Sequence, residues 1–149
     1  MRDILVTAII FGILPFVFKR PWIGIMLWTW LAYMNPHRQT WGFAYDFPFS
    51  MIVAITTLVA FFFSAQKKDM IWSRETAVWA LFVGWMFLTT FFSFYPDHAW
   101  VQWEKVWKIQ LMSLLVMLIT RARRHLDIMI WVIALSIGYY GFKGGIFTL

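Results

Sequence analysis

The sequence predicts an all-α integral membrane protein of about six transmembrane or re-entrant helices, the N-terminal part of a larger polytopic bundle. Three observations carry that prediction. Hydrophobic residues make up 62% of the 149 and charged residues only 13%, about half of the roughly 25% charged share of soluble globular domains. Too little polar side chain is left to cover a water-facing surface. Sixteen Phe, eleven Trp and nine Met supply lipid-facing bulk and amphipathic rings for the headgroup level. The stretches that lack Asp, Glu, Lys and Arg are spaced as a series of spans within one transmembrane domain, residues 1–149, with no internal repeat and no low-complexity linker.

The spans lie near 4–18, 21–36, 47–66, 76–96, 100–120 and 126–142. A hydrocarbon core of about 30 Å asks for about 20 helical residues, which the third and fourth supply unaided. Residues 4–18 would rise only about 22 Å, so the first two runs form either snug spans with snorkelling ends or a re-entrant hairpin. The start resembles a signal peptide in having Arg2 before an apolar run, but it lacks a small-x-small cleavage site and ends in Lys19, Arg20 and Pro21, the mark of a retained anchor. The fifth span is free of charge only from residue 109. Trp100, Trp103, Trp107 and Leu111 recur before it at helical spacing, with Gln102, Glu104, Lys105 and Lys108 on the other side, so one helix begins in the interface and then dives. After the sixth span, "GYYGFKGGIFTL" carries a glycine cluster that helices tolerate poorly, and the chain stops on apolar residues.

Counting cations orients the chain. Lys19, Arg20, Lys67, Lys68, Arg74, Arg121, Arg123 and Arg124 fall in one set of turns, and Arg2, Arg38, Lys105, Lys108 and Lys143 in the other. By the positive-inside rule the first set is cytoplasmic. The N-terminus, the 35–46 loop and the 97–108 segment then share the outer face. "RARRHLD" reads as a cytoplasmic stop signal, with lipid headgroup binding as its second reading.

Several function classes are disfavoured. The net charge of +6 comes from short clusters between apolar runs, not from a basic stripe interleaved with stacking rings, so no nucleic-acid partner is expected. His37, His98 and His125 are scattered and there is no cysteine, which leaves neither a metal site nor thiolate chemistry in view. "GFKGG" lacks the spacing of a phosphate loop. No acid falls in the middle of a span, as an ion-coupled transporter would require. Gly138 and Gly141 are a weak helix-contact signal.

Two polar stretches remain, both on the predicted outer face. In "YMNPHRQTWGFAYDFPFS", Asn35, Pro36 and Pro48 end one helix and start the next, and His37, Arg38 and Asp46 sit among Trp41, Phe43, Tyr45 and Phe47. The stretch is either an interfacial loop with an aromatic belt, or the lip of a site where Arg38 offers a bidentate fork to phosphate. In "SFYPDHAWVQWEKVWK", Asp97 is placed to cap a helix starting near His98, and Glu104 and Lys108 form an i, i+4 pair. Alternatively His98, Lys105 and Lys108 would join His37 and Arg38 in an electropositive vestibule for anionic headgroups.

The strings "RPWIGIMLWTWLAYMNPHRQTWGFAYDFPF", "YPDHAWVQWEKVWKI" and "GGIFTL" resemble the N-terminal membrane region of the O-glycosylation ligases associated with the exosortase A system, relatives of the bacterial O-antigen ligases and polymerases. The likeness runs along nearly the whole chain, and 1–149 corresponds to the first part of such a protein. It implies a glycosyltransferase of the bacterial inner membrane that needs no metal and no cofactor. That enzyme moves a glycan from a polyprenyl pyrophosphate carrier to an acceptor at the periplasmic face. The decisive Arg and His of the wider ligase family lie in a large periplasmic loop and nearby helices of the later half. This sequence has no such loop, so no catalytic residue is carried over. Under the resemblance Arg38 with His37 would be the first phosphate contact, Lys105 and Lys108 auxiliary charge beside His98, and Asp46 or Asp97 orienting groups. The expected partners are the bilayer, the carrier-linked glycan, and the remaining helices of the ligase or a partner subunit. The alternative function is a non-catalytic helical subunit or scaffold without a substrate of its own.

Overall fold

The apolar runs fold as six α-helices, and no strand occurs among the described residues. A computed structural model describes residues 2–64 and 73–148. The helices are α1 (Arg2–Lys19), α2 (Pro21–Met34), α3 (Phe49–Phe63), α4 (Arg74–Phe91), α5 (Pro96–Ile119) and α6 (Arg123–Thr148), with short 3-10 turns at Pro36–Gln39 and Phe43–Tyr45. Lys67 and Lys68, counted in the charge balance, lie outside the described residues. The chain divides into two compact units, Met1–Gln66 with Ile119–Leu149, and Lys67–Leu118.

In the first unit α2 is the hub. It carries no charge on any side, the pattern of a buried helix, and it packs against α1, α3 and α6. Gly24, Ile25, Met26, Leu27, Thr29 and Leu31 are all buried. The core gathers Ile10, Leu27, Leu31, Ala44, Phe49 and Val53. At the contact of α2 with α1 and α3, a Cβ on Gly24 would lie 2.8 Å from Val17 Cγ1 and collide with the Thr57 hydroxyl. The hydroxyls of Thr29 and Thr57 donate to the carbonyls of Ile25 and Val53 at 2.8 and 2.7 Å, so each polar group is satisfied inside its own helix.

Two contacts set the helix directions. The Trp22 and His125 rings stack at 4.7 Å, and at the other end of α2 the Tyr140 hydroxyl reaches the Met34 carbonyl at 2.6 Å. Helices α2 and α6 therefore run parallel. Helix α1 is antiparallel to α2, its Asp3 meeting Gly42 beyond the end of α2. So is α3, with Phe49 beside His37 and Thr57 beside Gly24. Unit 1 thus has a loop end, with Asp3, residues 35–48, Tyr139 and Tyr140, and a basic end, with Lys19, Arg20, Arg123 and Arg124.

The second unit is an antiparallel hairpin of α4 and α5. Ser73 caps α4 by accepting the Thr76 amide at 3.3 Å. Trp79 Nε1 donates to Gln110 Oε1 at 2.9 Å, and Phe87 lies 6.2 and 5.3 Å from the rings of Trp100 and Trp103. No residue of α4 is buried.

Several expectations shift in position. Helix α3 starts after Pro48 and is shorter than 47–66, while α4 ends at Phe91 rather than 96 because Pro96 opens the next helix, a position where its missing N–H costs nothing. Asp97 is accordingly inside the first turn of α5 rather than at its cap. The glycine cluster does not end α6, which passes through it to Thr148. A Cβ at Gly138 or Gly141 would meet nothing within 4 Å, so neither is a close-contact site within the chain. Among the described residues one helical stretch, Arg123–Ile146, is long and apolar enough to cross a membrane. The others miss that mark for plain reasons: α1 carries Arg2, Asp3 and Lys19, α2 and α3 have only 14 and 15 residues, the 18-residue α4 spends its first turn on Arg74 and Glu75, and the first half of α5 is charged.

Candidate functional site

The loop end of unit 1 is built from the turn that closes α2. Asn35 takes the left-handed conformation at φ 48°, which Asn tolerates better than most residues, and its amide closes on the Leu31 carbonyl at 3.1 Å. Pro36 then starts a 3-10 turn in which the Arg38 amide donates to the Asn35 carbonyl at 3.1 Å and the Thr40 amide to the His37 carbonyl at 3.2 Å. The turn fixes where each side chain goes. His37 is buried at 8% exposure with its ring edge-on to Phe49, 5.8 Å away. Arg38 is exposed, its guanidinium 4.7 Å from the centroid of the Tyr45 ring. The two residues expected to act together on a phosphate therefore occupy different environments, one inside and one outside. Asp46 is exposed and, among the described residues, forms no ion pair with Arg38.

Burial, and then the Arg38 charge, hold the His37 pKa below its ordinary value of 6.5, because both disfavour a second positive charge. Among the described residues its Nδ1 has no hydrogen-bond partner. Its backbone, by contrast, is well used: the His37 carbonyl also accepts the Thr40 hydroxyl at 2.7 Å.

Two braces hold this loop. Asp3, from the first turn of α1, accepts the Gly42 amide at 3.1 Å. A Cβ on Gly42 would lie 2.8 Å from Asp3 Oδ1, so glycine is what allows the approach. Burial raises the Asp3 pKa, but hydrogen bonds from its own amide, the Thr40 hydroxyl and the amides of Gly42 and Ala44 outweigh it and leave the carboxyl below its ordinary value. The second brace comes from α6. Gln39 Nε2 donates to the Met34 carbonyl and to the Tyr140 oxygen, both at 3.1 Å, and the Tyr139 hydroxyl donates to Gln39 Oε1 at 3.1 Å. An orphan carbonyl at the end of α2 is thereby satisfied from two sides.

The remaining expected residues belong to unit 2. Asp97, His98, Lys105 and Lys108 are all exposed on α5. The Lys108 ammonium is 2.7 Å from Glu104, as the i, i+4 spacing predicts. The tryptophan stripe only partly buries: Trp103 faces α4, while Trp100 and Trp107 keep 43% and 41% of their surface exposed. Gln102, exposed like Glu104, Lys105 and Lys108, also lines, with Met86, Thr90 and Trp103, a groove of about 280 Å³ between α4 and α5.

What this arrangement can do chemically is hold an anion at the loop end. Arg38 is an exposed cation there, its guanidinium seated on Tyr45, with Trp41 98% exposed and Phe43 62% exposed alongside. Asp3, Gln39, Tyr139 and Tyr140 were not among the residues singled out from sequence. A sequence model of DUF5935, described as a family of unknown function, matches residues 1–149. No curated protein and no solved structure matches the chain.

Proposed function

We propose, for a chain that belongs to the DUF5935 family along its whole length, a polytopic protein of the bacterial inner membrane. In this reading it acts within an O-antigen-ligase-like glycosyltransferase that moves a glycan from a polyprenyl pyrophosphate carrier to an acceptor at the periplasmic face. The observation that carries the reading is Arg38: a rigid fork held over an aromatic face, on a loop braced by Asp3 and by α6. A pyrophosphate presents two such anionic groups at a membrane surface, and a guanidinium pairs with them bidentately. The exposed rings of Trp41 and Phe43 suit the interface where the carrier tail enters lipid.

Membrane embedding is supported by the apolar residues the fold leaves outside, among them Leu81 at 75%, Phe63 at 85% and Phe92 at 73% exposure. Apolar side chains left exposed to this degree suit lipid rather than water. The charge pattern of unit 1 supports the orientation: Lys19, Arg20, Arg121, Arg123 and Arg124 lie toward one end, which the positive-inside rule makes cytoplasmic. The loop end and the N-terminus are then periplasmic. With α1, α3 and α6 packed along it, the 14-residue α2 need not match the bilayer thickness by itself.

The test is Arg38→Ala introduced into the natural gene, in cells that keep no unaltered copy. Transferred glycan should fall about tenfold or more, the scale of charge-assisted hydrogen bonds worth about 1.5–3 kcal/mol, while the protein still pellets with membranes after alkaline extraction. Unchanged transfer removes Arg38 from the site.

A further inference from the structure

The basic end of unit 1 has no part in glycan transfer as proposed, yet the fold assembles it from two distant stretches. Lys19 ends α1, Arg20 is the one-residue link to α2, and Arg123 and Arg124 open α6. The Trp22–His125 stack at 4.7 Å sets the starts of α2 and α6 side by side, so these four exposed cations converge on one end. Among the described residues they are poorly compensated. Neither α2 nor α6 has an acid in its first turn, Arg20 makes no capping hydrogen bond with its side chain, and exposed Asp127, although four residues after Arg123, forms no ion pair with it among the described residues.

The surface just beyond the cations is apolar. Phe16 and Phe18 on α1 are 58% and 57% exposed, and Ile130 and Trp131 on α6 are 61% and 67% exposed. Cations bordering a band of exposed rings and aliphatic groups match the boundary between headgroup phosphate and acyl chain. A dissolved polyanion would make no use of the band. We propose that this end binds anionic phospholipid headgroups, with Lys19, Arg20, Arg123 and Arg124 on phosphate and the neighbouring apolar side chains against the acyl chains. The proposal rests on the membrane part of the reading above and is independent of glycan transfer.

The test measures lipid retained by detergent-solubilised full chain, comparing phosphatidylglycerol with phosphatidylcholine of the same acyl chains. Phosphatidylglycerol should be held at least about tenfold more tightly. The triple variant R20Q/R123Q/R124Q should lose its preference by up to about fivefold per cation removed, with phosphatidylcholine unaffected, and R20K/R123K/R124K should keep most of it. Equal retention of the two lipids by the natural chain overturns the proposal. Displacement of phosphatidylglycerol by equimolar inorganic phosphate also overturns it, by assigning the site to free phosphate. If the glutamine variant does not fold, the natural chain decides: binding that does not weaken with ionic strength is not this electrostatic contact. Failure of the protein to pellet with membranes would sink the membrane reading itself, whereas equal lipid retention by a membrane-bound chain sinks only this inference.

Discussion

Tyr140 donates its hydroxyl to the main-chain carbonyl of Met34 at 2.6 Å, joining α6 to the end of α2 across more than a hundred residues of chain. The same carbonyl receives Gln39 Nε2 at 3.1 Å, so the loop that presents Arg38 is registered against α6. Tyr140→Phe keeps the ring and removes the donor, and should cost about 0.5–1.5 kcal/mol. A double-mutant cycle with Gln39→Ala in detergent should show a coupling of at least about 0.5 kcal/mol. Strict additivity would mean that the two side chains do not act as one brace.

Gly24 and Gly138 should respond in opposite ways to alanine. At Gly24 the added methyl meets Thr57 and Val17, and the overpacking should lower stability by about 1–3 kcal/mol. At Gly138 it meets nothing within 4 Å, and helix propensity alone predicts a gain of up to about 1 kcal/mol. Thermal unfolding of the two variants in the same detergent checks both signs.

His37 makes stability depend on pH. Burial and the Arg38 charge hold its folded pKa below 6.5, so below that pH the unfolded chain binds the proton more readily. The contribution is present above pH 6.5 and is lost as pH falls toward the folded value. Between pH 7 and pH 5 the natural chain should therefore lose stability relative to His37→Phe, which keeps an apolar ring beside Phe49. Parallel pH profiles for the two proteins would show that His37 is not buried in its neutral form.

Asp3 should hold the 40–44 segment through its charge. Its folded pKa is below the ordinary 3.8, so the brace is complete at neutral pH and is lost only as pH falls through that lower value. Hydrogen exchange at the Gly42 and Ala44 amides should be slow in the natural chain and clearly faster in Asp3→Asn at pH 7. Equal exchange rates would show that the carboxylate does not hold the loop.

The helices were legible in the sequence because they rest on local signals: charge-free runs, the Asn35-Pro36 stop and the Glu104–Lys108 pair. Their boundaries moved where two local rules competed, as at Pro96, where helix initiation overrides the apolar run that reaches it. The glycines of α6 misled because propensity is a weak prior that a continuous apolar helix overrides. The interior of the candidate site was not legible. Nothing periodic links Asp3 to Gly42 or Gln39 to Tyr139, since such pairs are set by how α1 and α6 pack. His37 and Arg38 are neighbours in sequence, yet the 3-10 turn sends one inward to Phe49 and the other outward over Tyr45.

Placing the loop end and the basic end of unit 1 on opposite sides of a bilayer underlies the whole functional account. The chain has no cysteine, so single cysteines at Arg38 and Arg123 can be probed with a membrane-impermeant thiol reagent on intact cells and on opened membranes. The cysteine at 38 should label from the periplasmic side and the one at 123 only after the membrane is opened. Labelling of both from the same side would contradict that placement.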